Sequence, residues 1–144
     1  MENKENNFDK NLKEIREMSL KLKEPLEEPI TILYTGYEKK KIKYKGGYEN
    51  GKYEGRGIIY DDYYEDIIYK GYFKNNKYNG FGNKYKYKKL EYEGFYEDGK
   101  MNGKGILYYN NSSQYILMEF LIRIIILKES YMIQMGINYM KEIL

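Results

Sequence analysis

The chain of 144 residues contains no cysteine, no histidine and no tryptophan, and only two prolines. Without cysteine there is neither a disulfide nor a thiolate metal site. Without histidine the commonest general base and metal ligand is missing. The serines are Ser19, Ser112, Ser113 and Ser130, and none sits in a nucleophile-elbow context. Asp61 and Asp62 are adjacent carboxylates in a loop, with nothing nearby to split their pKa values into an acid and a base. These absences predict a protein that is not an enzyme and that holds no cofactor and no metal. Charge is nearly balanced: 25 Lys and Arg against 22 Asp and Glu give a net +3, which does not call for nucleic acid. The opening Met1-Glu2-Asn3-Lys4-Glu5 lacks the basic start and apolar core of a secretion signal, so a cytoplasmic location is expected.

What the chain has is tyrosine, 20 of them, and a pattern written three times. The first copy carries Tyr44, Gly46, Tyr48, Asn50-Gly51, Gly55 and Gly57. The second carries Tyr69, Gly71, Phe73, Asn75-Asn76, Gly80 and Gly82. The third carries Tyr92, Gly94, Tyr96, Asp98-Gly99, Gly103 and Gly105. A recurring period of this size marks a repeat architecture. Each copy holds a two-residue turn of Asn, Asp or Gly, the residues that tolerate positive φ, flanked by period-two sequence. Each therefore reads as a β-hairpin with a type I′ turn. Counting back from the turns places Glu49 opposite Lys52, Tyr48 opposite Tyr53, Gly46 opposite Gly55 and Tyr44 opposite Gly57. The same count sets Tyr69 opposite Gly82 and Tyr92 opposite Gly105. Aromatic rings are thus expected over Gly55, Gly57, Gly80, Gly82, Gly103 and Gly105, filling the space that those glycines leave.

The spacing Tyr-x-Gly-x-aromatic-x-x-Gly-x-x-x-Gly-x-Gly resembles the MORN repeat family. The first and third copies match throughout, and the second departs only at Asn76. The repeats lie at about 44–60, 69–85 and 92–108, with Ile30, Ile32, Tyr34, Gly36 and Tyr37 as a degenerate leading strand. The resemblance implies an open, single-layer antiparallel meander of stacked hairpins, an all-β repeat core. It also implies a scaffold or, as in some members, a membrane-attachment module fused to other domains.

Three segments are expected: a polar arm over 1–29, the repeat domain over 30–111 and an apolar tail over 112–144. In the arm, Phe8, Leu12, Ile15, Met18 and Leu22 recur at helical spacing, and Pro25 and Pro29 stop the pattern. A helix from about 8 to 24 is expected, with its stripe on the first hairpin or on a partner. The tail, from Tyr115 to Leu127, is strongly apolar but short and interrupted by Glu119 and Arg123, so it does not read as a membrane span. One reading is a helix from about 114 to 142 capping the last hairpin around Ile106 and Tyr108. The other reading is an out-of-frame continuation. Taking the last base of each codon with the first two of the next, Met118-Glu119 and Met135-Gly136 must each give glycine. Met132-Ile133 must give aspartate, Asn138-Tyr139 leucine and Met140-Lys141 glutamate. With AT-rich third bases elsewhere and AAG for Lys141, the end reads Asp-Thr-Asn-Gly-Asn-Lys-Leu-Tyr-Glu-Gly-Asn-Phe. That is a turn followed by another Tyr-x-Gly-x-aromatic opening.

Two lysine clusters complete the candidates: Lys39, Lys40 and Lys41 before the first repeat, and Lys84, Lys86, Lys88 and Lys89 after the second. They are possible contacts to an anionic lipid surface, worth about 1 kcal/mol per basic residue. The competing reading is a solvated rim that blunts sheet edges, favoured because Asp61, Asp62, Glu65 and Asp66 occupy the same kind of loop. Alternation of Lys with Tyr over 84–89 also suggests base stacking beside phosphates, but the repeat already accounts for those tyrosines. The expected role is an interaction module that offers rows of Tyr and Phe to another protein, with a lipid surface or a larger repeat protein as the alternatives.

Overall fold

The computed structural model describes residues 7–36, 40–109 and 114–118. One helix, α1 (Asn7–Lys21), precedes eight strands. These are β1 (Thr31–Thr35), β2 (Lys41–Glu49), β3 (Lys52–Tyr60), β4 (Ile67–Lys74), β5 (Lys77–Lys86), β6 (Lys89–Glu97), β7 (Lys100–Tyr109) and β8 (Gln114–Met118). They form one antiparallel sheet in the order β1-β2-β3-β4-β5-β6-β7-β8, so every strand pairs only with its chain neighbours. The expected turns are where the pattern puts them. Asn50 and Gly51, Asn75 and Asn76, and Asp98 and Gly99 all have positive φ, between 48° and 82°. A fourth turn of the same kind, Tyr87-Lys88 with φ 51° and 64°, joins β5 to β6 without any Asn or Gly.

The register near the turns agrees with the count: Glu49 pairs with Lys52 and Tyr48 with Tyr53. Beyond that the count fails. Gly46 pairs with Gly57 and Tyr44 with Ile59, because Gly47 of β2 faces three residues of β3, Glu54, Gly55 and Arg56, across a bulge. The second and third hairpins repeat this shift. Tyr69 pairs with Lys84 and Tyr92 with Leu107, while Gly71 meets Gly82 and Gly94 meets Gly105. At the bulges Gly55, Gly80 and Gly103 take φ of 66°, 94° and 83°. Bulge geometry, not an overlying ring, is what these three glycines serve. A β-carbon on Gly55 or Gly103 would meet nothing within 4 Å, and on Gly80 it would touch only Tyr72.

The rings sit instead on the glycine pairs. A β-carbon on Gly57 would stand 2.7 Å from Tyr44 Cζ, and one on Gly82 or Gly105 would stand 2.5 Å from Cε2 of Tyr69 or Tyr92. Each ring is fixed at its far end by a hydroxyl that donates three residues on. Tyr44 Oη donates to Gly47 O (2.6 Å), Tyr69 Oη to Tyr72 O (3.0 Å) and Tyr92 Oη to Phe95 O (3.2 Å). Tyr53 stacks on Tyr44 at 4.0 Å between centroids and Tyr78 on Tyr69 at 3.7 Å, and Phe73 and Tyr96 meet these pairs edge-on. The three repeat tyrosines are fully buried. The Tyr and Phe rows expected to be an exposed binding face are therefore this face's core. Glycine lets each ring approach the backbone closely enough to be enclosed by its neighbours.

The opposite face is covered in part by α1, so the sheet is single-layered only where the helix does not reach. Ile15 and Leu22 are buried with Phe81 and Ile106, and Leu12, Met18, Tyr72, Phe95 and Tyr108 pack around them. The helix lies on β5, β6 and β7, not on the first hairpin. Polar contacts fix its register: Asn83 Nδ2 donates to Ser19 Oγ (2.8 Å), and Lys104 Nζ pairs with Glu14 Oε2 (2.6 Å). Thus α1 occupies the ground around Ile106 and Tyr108 that the tail was expected to cover. The first residues of that expected tail helix, Gln114–Met118, instead form β8 along β7. The edge of β7 would otherwise offer a ladder of unpaired backbone groups, and Gln114–Met118 completes it. The rest of the expected tail helix, with Ile122, Ile124, Ile125, Ile126 and Leu127, lies outside the described residues, as do Tyr37 and Lys39. The expected leading strand is present as β1, paired with β2.

Candidate functional site

With the tyrosine rows buried, large exposed aromatic side chains collect at the end of the sheet opposite the Asn-Gly turns. There the β3–β4 loop carries Tyr63 and Tyr64, 78% and 81% exposed, and the β5–β6 turn carries Tyr87, 86% exposed. Nothing in the repeat spacing marks these three. The usable signal was local: an acidic run, Asp61-Asp62-Tyr63-Tyr64-Glu65-Asp66, where two large aromatics cannot all find cover.

The β3–β4 loop is a closed structure. Asp61 N–H donates to Asp66 O (2.8 Å), and the Asp61 carboxylate accepts from the N–H of Tyr63 (2.9 Å) and of Tyr64 (2.5 Å). Such an Asx turn organises its loop because a short carboxylate can accept from N–H groups two and three residues on. Glu65, at φ 58°, reverses the chain. Neighbouring loops are tied to it. Lys41 Nζ donates to Tyr63 O, and Lys88 Nζ lies 3.5 Å from Asp66 Oδ1.

The structure scatters the described lysines of the two clusters along this rim and gives most of them a local task. Lys84 pairs with Glu91 (3.3 Å), Lys88 with Asp66, and Lys86 lies over the Tyr87 ring (5.8 Å to its centroid). Lys40 and Lys89 are exposed. The rim is therefore a mixed field of charges in which lysines neutralise nearby carboxylates. This arrangement can grip a complementary surface through aromatic anchors whose loops are already ordered.

Among the described residues no group of three or more His, Cys, Asp or Glu is placed to hold a metal ion. None of the described helices is long and apolar enough to cross a membrane. Of the repeat-defining rings, Tyr44, Tyr69, Phe73, Tyr92 and Tyr96 are brought together as a core, while Tyr48 is 39% exposed.

The MORN repeat family model matches the chain three times in succession, at residues 44–62, 69–87 and 92–114. A search of curated proteins finds no match.

Proposed function

The chain is a MORN-repeat protein with three consecutive repeats, and from that premise we propose that it is a non-catalytic interaction module whose contact surface for a partner protein is the rim of Tyr63, Tyr64 and Tyr87. One observation carries this reading. Three large aromatic side chains stand about four-fifths exposed on loops that the protein has ordered through the Asp61 turn and the Lys88–Asp66 and Lys41–Tyr63 links. Tyrosines on ordered loops give large contact area for little loss of side-chain freedom, which is why they anchor interfaces. The test is quantitative capture of partners by the full-length protein, wild type against Tyr63→Ala/Tyr64→Ala/Tyr87→Ala. The variant is expected to keep its melting temperature and lose its partner. Partner retention by a folded variant rejects the rim.

A second reading is favoured by one feature. Tyrosines and exposed lysines share the rim, as they do where proteins rest on anionic bilayers. Vesicle sedimentation at low and high salt separates the two readings. A protein-binding rim gives weak binding that salt abolishes, because exposed charges are screened beyond about 8 Å at physiological ionic strength.

A further inference from the structure

On the face that carries α1, one residue from each strand forms a continuous cross-strand row. Ile32, Lys45, Ile58 and Lys70 are successive Cα partners on β1 to β4, and the row continues through Asn83, Glu93 and Ile106 on β5 to β7. Its two halves differ. The β5–β7 half is covered: Asn83 bonds to Ser19 of α1, Ile106 is 1% exposed among helix side chains, and Glu93 accepts from Tyr108 Oη (2.5 Å). The β1–β4 half lies beyond the main seat of α1 on β5 to β7, and is bordered at one side by Tyr72 of β4 at the end of the helix cluster and by Glu24 and Pro25 against Arg56 of β3. There Ile32 is 38% exposed, and Lys45, Ile58 and Lys70 are half-buried.

That open half is short of negative charge. Among the described residues neither the Lys45 nor the Lys70 ammonium has an ion pair or a hydrogen bond. Burial, Arg56 and Lys23 together lower the Lys70 pKa. Arg56 is already engaged, its guanidinium donating to the carbonyls of Glu24 (2.7 Å) and Pro25 (2.8 Å). Half-buried cations without an anion beside them favour whatever brings one.

We propose that the row Ile32, Lys45, Ile58 and Lys70 seats an amphipathic helix with an acidic flank, supplied by a partner protein and laid across β1 to β4 as α1 is laid across β5 to β7. The precedent is α1 itself. It crosses the strands, fills the sheet surface with Ile15 and Leu22, and sets the Glu14 carboxylate on Lys104. Spacing supports the same occupant. Adjacent strands are about 4.8 Å apart, and one helical turn rises about 5.4 Å. A helix crossing this alternation of isoleucine and lysine would meet it with leucine and glutamate in turn, at intervals of three to four residues. The surface is distinct from the loop rim, so the two proposals fail separately.

The test uses the full chain and a labelled helical peptide of about 18 residues with leucine and glutamate alternating along one face, beside its glutamine-for-glutamate counterpart. Fluorescence anisotropy is expected to show binding of the glutamate peptide and binding about tenfold weaker, or about 1.4 kcal/mol, for the glutamine peptide. Lys45→Met/Lys70→Met keeps the apolar stems and is expected to lose a similar factor, with the melting temperature checking its fold. Tyr63→Ala/Tyr64→Ala is expected to change nothing. Absence of peptide binding, equal binding of the two peptides, or unchanged affinity in the lysine variant overturns the proposal. So does a lysine effect seen on anionic vesicles and not on the peptide.

Discussion

The ring of Tyr69 stands where a side chain on Gly82 would have to go: its Cε2 lies 2.5 Å from the point a β-carbon would occupy. Tyr44 holds the same relation to Gly57, and Tyr92 to Gly105. Gly82→Ala therefore forces Tyr69 out of a fully buried position and strains Tyr78 stacked on it, at a cost of about 1–3 kcal/mol. Gly103→Ala meets no atom within 4 Å but keeps φ at 83°, so its cost is backbone strain alone, about 1–2 kcal/mol. Urea unfolding separates the two when each is combined with Tyr→Leu at the ring of its own repeat. The Gly82 cost shrinks in the Tyr69→Leu background, and the Gly103 cost is unchanged in Tyr92→Leu. Equal costs in all backgrounds would remove the ring-on-glycine account.

Tyr96 buries its hydroxyl without a partner among the described residues, while Phe73 fills the equivalent place one repeat earlier with no hydroxyl at all. Tyr96→Phe is expected to stabilise by about 1 kcal/mol, the desolvation recovered. Tyr69→Phe deletes the bond to Tyr72 O and is expected to destabilise by about 1 kcal/mol. Opposite shifts in the midpoint of chemical denaturation are the sign to look for.

Alkaline pH acts on the same rings. Burial raises the pKa of Tyr44, Tyr69, Tyr92 and Tyr96 above the ordinary tyrosine value, with neighbouring tyrosines adding to the rise at Tyr44, Tyr69 and Tyr96. The folded state thus holds these protons longer than the unfolded chain does. Stability from this source is complete below about pH 10 and falls as pH rises above it, because only the unfolded state releases the protons. Ultraviolet titration is expected to show part of the tyrosine signal appearing only with loss of the far-ultraviolet β signal. Full titration of every tyrosine in a folded protein would contradict the enclosure.

The rim should matter little to folding. Tyr63→Ala and Tyr64→Ala each remove a side chain about four-fifths exposed, so each is expected to stay within about 0.5 kcal/mol of wild type. Lys88→Gln removes one exposed end of a surface ion pair and is expected to cost less than about 1 kcal/mol. Larger losses in thermal melts would make the rim a structural element and not a contact surface.

The coding DNA offers a test that needs no protein. Reading one base over from codon 113 is expected to give further Tyr-x-Gly hairpins with no early stop. Closure of that frame within a few codons would leave the apolar tail as the authentic continuation.

The hairpins, their turns and the partnership of rings with glycines were legible, because turn chemistry and spacing act locally. Register beyond the bulge was not. A count from Asn50-Gly51 treats all glycines alike, whereas Gly55 bends the strand and Gly57 makes room, a distinction visible only once φ is known. The burial of the tyrosine rows was missed for a related reason. Tyr44, Tyr69 and Tyr92 become a core by stacking with rings one strand and one repeat away, which no single hairpin reveals. Likewise the stripe of α1 was readable but its seat was not, since Ser19–Asn83 and Glu14–Lys104 join residues far apart in the chain. The rim escaped the pattern because it lies in the loops between copies.

Each hairpin also holds the one before it. Asn76 N–H donates to Tyr53 O (3.2 Å), Asn76 Oδ1 accepts from Tyr53 N–H (2.8 Å), and Gly99 N–H donates to Tyr78 O (2.8 Å). These bonds link a turn to the hairpin before it and to nothing farther off, so the lattice has a rule for adding the next unit and none for when to stop. Gene duplication can then lengthen the protein as a ruler is lengthened. Each added copy carries the far edge about 9.6 Å outward and leaves every earlier position where it was.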